Sequence, residues 1–229
     1  MSKQKKYNFV LSERSNDKKI QARNRETGFS LIELIASMFL TLIILGVAVA
    51  TFSSALSSRA RESSKTDAIT STQAALNILS REIGNSGYGL TTNGLVWKDS
   101  FGVVRTDCTD KKLHLRTNTG NGDGTTASAG EDVTFYFDAA SQSVVRYDAY
   151  NGGTTAGVIN RVSDVDFVYY NYDSINGTVT AGSASENTGR VKITLTVTLA
   201  NVAGQPNGQK VLVTSDVTLR NSPYMLGQY

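Results

Sequence analysis

The chain has 229 residues, 40% hydrophobic and 19% charged, a balance that excludes both a disordered chain and a polytopic membrane protein. Its single cysteine, Cys108, excludes any intramolecular disulfide, and His114 is the sole histidine, so a thiol–imidazole metal site is not expected. The formal charge of +3 is uneven: residues 1–28 hold eight basic and three acidic side chains, leaving 15 against 17, a net of −2, in the rest.

Taken in chain order, residues 1–27 are polar, charged and without apolar periodicity, and read as a leader. Phe29 to Phe52 follows as 24 residues, FSLIELIASMFLTLIILGVAVATF, with one charge, Glu33. At about 1.5 Å per residue this run covers a bilayer core of roughly 30 Å, so it predicts a membrane span. A secretory signal peptide would have a shorter apolar region ending in a small-residue cleavage site. The Lys and Arg before it are topological: basic residues flanking a span are held on the cytoplasmic side. A chain left net acidic by loss of that segment argues against a nucleic-acid partner.

No stop signal interrupts the pattern after Phe52. Ser53 to Ile83 lacks proline, and Ile69, Leu76, Leu79 and Ile83 mark one apolar stripe of a helix, widened by Ala68, Ala75 and Ile78. Gly84, Gly87 and Gly89 end it. The expectation is one helix whose first half lies in lipid and whose second half lays its stripe on a domain.

From about Leu95 the period changes to two. Val191, Ile193, Leu195, Val197 and Leu199 alternate with Lys192 and three threonines; Val133–Phe137, Val165–Tyr169 and Val211–Leu219 alternate likewise, Ser215 excepted. Such strands are half-buried and antiparallel. Gly204–Gly208 reads as the turn between the last two. The fold class is therefore α+β: a long N-terminal helix packed on an antiparallel β-sheet domain. The predicted divisions are a leader at 1–28, a membrane or filament-core helix at 29–52, its amphipathic continuation at 53–84, and a β domain at 85–229.

The junction reads Thr27-Gly28-Phe29-Ser30-Leu31-Ile32-Glu33-Leu34. This resembles the type III signal of type IV prepilins and type II secretion pseudopilins: glycine, an aromatic residue, a small hydroxyl, then aliphatics around a glutamate. The order of leader, motif, apolar helix and β domain resembles that superfamily along the whole chain. The resemblance implies a prepilin peptidase that cuts between Gly28 and Phe29 and N-methylates Phe29. Gly28 suits such a cut because it has no side chain to obstruct a protease. Glu33 is costly in a membrane segment, about 2.5–3.5 kcal/mol, and needs a partner. Within the family that partner is the N-terminal amine of a neighbouring subunit during assembly.

Leu79-Ser80-Arg81-Glu82-Ile83-Gly84-Asn85-Ser86-Gly87-Tyr88-Gly89 and the Thr218-Leu219-Arg220-Asn221 ending are similar to stretches of PilW-like minor pilins, the second also to the J-type pseudopilin of type II secretion. Proline, which many major pilins carry within this helix, is absent. A PilW-like minor pilin is the first expectation, with the J-type pseudopilin as its alternative and a pilus-borne adhesin or binding module as the alternative of another class. The implied partners are the peptidase, other major and minor pilins and the inner-membrane assembly platform. The leader would be cytoplasmic and the β domain periplasmic before assembly at the cell surface.

Other candidates are set beside this reading. Thr119–Gly124 followed by Glu131 resembles a calcium loop in Asn121, Asp123 and Glu131, but it departs from the EF-hand pattern. The preferred reading is a glycine-rich turn between strands at 113–117 and 133–138, with no cofactor. Asp164 and Asp166 fall on the solvent face of a strand, Cys108 and His114 form no triad, and Tyr169, Tyr170 and Tyr172 read as strand aromatics with a stacking surface as the other use. No enzyme is expected.

Overall fold

The computed structural model describes residues 28–98, 103–104, 106–120, 122–202 and 205–226. The expected leader at 1–27, Asn121 and the first residue of the Gly204–Gly208 turn lie outside the described residues.

Helix α1 spans Leu31–Asn85, 55 residues without proline. It begins on the glutamate half of a capping box: the Ser30 carbonyl accepts from Leu34 N at 3.1 Å, and Glu33 Oε2 accepts from Ser30 N at 3.0 Å. Two compact units divide the chain between Ala50 and Thr51. In the N-terminal unit, every residue of Leu31–Ala50 is exposed.

In the second unit the last turns of α1 bury Thr72, Ala75, Leu76, Leu79, Ile83 and Gly84. The helical stripe expected from sequence is present, with three changes. Ile69 is only half-buried and stands outside the core cluster, Ile78 does not widen the stripe and is 36% exposed, whereas Thr72, polar and unnoticed, is fully buried. Thr72 tolerates that place because its hydroxyl donates to Ala68 O at 2.6 Å, inside its own helix. After Asn85 the chain turns sharply, and Gly87, at φ +76°, is required there: a Cβ would stand 2.4 Å from Thr92 O.

The strands form two antiparallel sheets, where the alternation alone suggested one. The first holds β1 (Lys112–Arg116), β2 (Asp132–Asp138), β3 (Ser143–Asp148) and β4 (Thr154–Ile159) in that order. The second holds β5 (Val162–Asp173), β6 (Thr178–Gly182), β7 (Thr188–Thr198) and β8 (Lys210–Thr218) in the order β6-β5-β7-β8. Leu195 stands between Val165 and Val213, and Val191 between Tyr169 and Val217, so one parity of each strand faces the core. Ser215, the polar exception, comes within 3.4 Å of Ser80 on α1, hydroxyl to hydroxyl. A short helix, α2 (Pro223–Leu226), follows β8.

One apolar cluster joins α1 to both sheets through Leu79, Ile83, Phe135, Leu115, Ile193 and Leu219. Polar bonds tie the sheets as well. Tyr169, 3% exposed, donates its hydroxyl to Thr109 O and Lys112 O at 2.9 and 3.1 Å. Asn93, 2% exposed, donates to Ser185 O and Thr188 O at 2.9 and 3.1 Å while its Oδ1 accepts from Leu95 N at 3.2 Å. A buried amide satisfied on both ends locks the loop after α1 to the second sheet.

Candidate processing and assembly site

Gly28, Phe29 and Ser30 precede the first turn of α1 and are exposed, Phe29 to 87%. A Cβ on Gly28 would meet nothing within 4 Å, so nothing in the fold requires glycine there. Glu33 sits one helical turn on, its carboxylate turned back to the helix N-terminus by the bond from Ser30 N. The favourable field of the unpaired N–H groups there holds a negative charge in place. A positive amine created at Phe29 would therefore arise beside a carboxylate already aimed at that end. Sequence reasoning singled out Glu33 for assembly but missed the Ser30–Glu33 bond, whose S-x-x-E signature was legible.

From Leu31 to Ala50 the helix presents its apolar side chains outward on all sides. The window is long and apolar enough to cross a membrane, with mean hydropathy 2.5 and none of it buried. A buried core helix of the same hydropathy would be covered by its own domain, and this segment is not.

The two stretches at 79–89 and 218–221 meet in space. Arg220 N donates to Gly84 O at 3.4 Å, Asn221 Nδ2 donates to Ser86 O at 3.1 Å, and Leu219 and Ile83 are both fully buried in the core. They close the helix C-terminus against the end of β8.

The remaining sequence candidates have structural roles. Glu131, fully buried, accepts from Gly120 N at 2.7 Å and Ser128 N at 3.1 Å, so both carboxylate oxygens organise the loop between β1 and β2. Asp123 accepts from the backbone and hydroxyl of Thr125, both at 2.7 Å. Among the described residues no group of three or more His, Cys, Asp or Glu is placed to hold a metal ion. The one buried side-chain oxygen left unpartnered among them is Asn118 Oδ1, beside Gly89.

Cys108 and His114 do come close, but not as a reactive pair. The Cys108 thiol reaches the backbone oxygens of Val96 and His114, both at 3.5 Å, and burial pushes it up to about 11, which keeps it protonated and inert. The imidazole turns instead to Asp132, with Nε2 2.5 Å from Oδ1, while Arg116 Nε donates to Oδ2 at 2.8 Å. Burial works to raise the Asp132 carboxyl, but the hydrogen bonds and charges of His114 and Arg116 outweigh it and hold it below the usual carboxylate range. Asp164 and Asp166 face outward as expected and bracket Lys111, whose Nζ lies 2.8 and 3.9 Å from them. Burial works to lower the Lys111 ammonium, but Asp164, Asp110 and Asp166 together outweigh it and raise it above the usual lysine range. Tyr169 is core, and Tyr170 carries the Arg190 guanidinium 4.1 Å above its ring.

Residues 23–49 match the prokaryotic N-terminal methylation motif. That motif heads one long helix, which continues into antiparallel sheets. The motif implies processing by a prepilin peptidase and assembly with other pilins.

Among solved structures, a type IV-like pilin from Thermus thermophilus aligns at 13% identity over 67% of this chain and 97% of its own, with a TM-score of 0.42. No curated protein matches the chain.

Proposed function

We propose that the protein is a minor type IV pilin of the PilW-like kind, a subunit that helps initiate pilus assembly and sits at the tip. The observation that carries the reading is the coincidence of the methylation motif with an exposed glycine–phenylalanine junction and an entirely uncovered apolar helix. The peptidase cuts between Gly28 and Phe29 and methylates the new amine. Glu33, already turned toward the helix N-terminus, pairs with the amine of a neighbouring subunit; burying that pair between helices makes breaking it expensive and so sets axial register. Before assembly the chain is a single-pass inner-membrane protein, leader cytoplasmic and β domain periplasmic. Contact between the 79–89 and 218–221 stretches supports the PilW-like reading, since the two segments that resemble that group form one structural corner.

The test is mass spectrometry of the N-terminal peptide in sheared filaments and in membranes. The expected result is a peptide beginning at Phe29 with one added methyl, sparse in the filament fraction. Abundance there equal to the main subunit would make this a major pilin. Processed protein confined to the membrane would favour the J-type pseudopilin, and a retained leader would sink the prepilin reading.

A further inference from the structure

The outer face of the first sheet carries an open groove of about 550 Å³, within the size range of small-ligand sites. Its floor follows from the strand register. His114 pairs with Thr134 and Thr134 with Tyr147, so three side chains of one parity stand in a row across β1, β2 and β3. The next row sets Lys112 beside Tyr136. Leu113, Leu115, Val133 and Phe135, of the opposite parity, are buried in the core, so this face looks to solvent. A short threonine between a histidine and a tyrosine leaves a dip, lined by the Tyr136 and Tyr147 rings.

Formal charge in the groove is already matched. Lys112 Nζ lies 2.7 Å from Asp107 Oδ1, His114 Nε2 bonds Asp132, and Lys111 Nζ lies 2.8 Å from Asp164 Oδ1. The neutral hydrogen-bonding groups are not matched. Thr134 is only 7% exposed, yet its hydroxyl makes no hydrogen bond among the described residues; it is not sealed in the core but opens to the groove. A hydroxyl so nearly buried needs a partner, and the groove is where one can enter. The Tyr136 and Tyr147 hydroxyls likewise have no partner among the described residues. Asp107 Oδ2 and His114 Nδ1 stand 4.0 Å apart at the same groove. That is too far for a bond to each other and close enough for one ligand oxygen to meet both.

We propose that this groove binds an uncharged saccharide, its C–H face on the Tyr147 ring and its hydroxyls on Thr134, His114 and Asp107. A sugar ring has an apolar C–H face and an edge of hydroxyls, each donor and acceptor at once. That is the complement of a tyrosine ring beside unpaired hydroxyls. Tyr147 is 37% exposed, so its ring is available to such a face. A carboxylated or sulfated ligand finds no uncommitted cation, because Lys111 and Lys112 are both spent on aspartates. Such a site belongs to the second unit alone and needs no second copy of the chain.

The test uses the full-length chain in an amine-oxide detergent, which has no sugar headgroup, on an array of immobilised glycans. Neutral oligosaccharides of glucose, galactose, mannose and N-acetylglucosamine stand beside sialylated and sulfated ones. Retention on at least one neutral glycan, competed by the same sugar in solution, is expected. T134V keeps the branched shape and deletes the hydroxyl, so it should weaken binding about three- to tenfold without lowering the thermal midpoint. Y147A should weaken it by about tenfold or more. Y170A, on the second sheet, should leave it unchanged. No retained glycan, retention of acidic glycans only, or binding that survives both T134V and Y147A would each overturn the proposal. A loss in Y170A equal to that in Y147A would move the site off this groove and overturn it as well.

Discussion

The two ends of α1 make an instructive contrast. Leu31–Ala50 is almost uniformly apolar and wholly exposed, whereas the turns from Thr72 to Gly84 are mixed in sequence and supply the buried stripe of the core. Each large apolar side chain left in water forgoes about 1.5–3 kcal/mol, so a run of this length requires another apolar medium. The N-terminal segment is long and apolar enough to cross a membrane. The later turns need only one apolar face because their other face stays wet. Uniform hydropathy marks a surface for something outside the chain, and periodic hydropathy marks a surface for the chain itself.

That contrast can be broken most sharply at Gly28. Gly28→Val meets open space and should leave the far-ultraviolet circular dichroism and the thermal midpoint unchanged, yet abolish processing outright. Retention of the leader in the N-terminal mass is the readout; normal cleavage would mean the residue has no such role.

Next in size is a paired truncation along the same helix. Leu79→Ala, at a fully buried site, should cost about 2–5 kcal/mol in denaturant unfolding of the second unit. Leu42→Ala, 63% exposed, should leave that transition unmoved. Equal losses would show that the two segments are not energetically distinct. Gly87→Ala probes where the helix must stop: with φ +76° and a contact of 2.4 Å awaiting its Cβ, it should lower stability by about 1–3 kcal/mol. A neutral result would mean the turn relaxes without cost.

The smallest expected effect concerns pH. The Asp132 carboxyl is depressed in the folded state, so its contribution is fully present above the ordinary carboxyl range and is lost as pH falls below about 4. Asp132→Asn should destabilise the second unit at pH 7 by about 1–3 kcal/mol, with the gap to the unaltered chain closing at pH 3. A constant gap across that range would remove Asp132 from the titration.

How much was legible beforehand differs by region for physical reasons. Where a pattern is local, reading along the chain works: the 24-residue apolar run, the 76-79-83 stripe and the alternation of β7 all follow from helix and strand periodicity. β3, β4 and β6 passed unnoticed because their side chains alternate weakly, and β6 is exposed on both faces, so no apolar parity records it. Asn93 carried no signal beyond an Asn-Gly turn, although its amide bonds residues more than 90 positions away.

By itself, then, the sequence determined the methylation motif, an apolar run of membrane length, an amphipathic helix and β strands, each encoded by neighbours a few residues apart. Only the tertiary structure decided that the strands part into two sheets and that Glu131 is spent on its own loop's backbone. It alone placed Asp132 between His114 and Arg116. Those outcomes depend on which distant backbone groups find partners. Side-chain period constrains the face of a strand, while its neighbours are selected by long-range hydrogen bonding and packing.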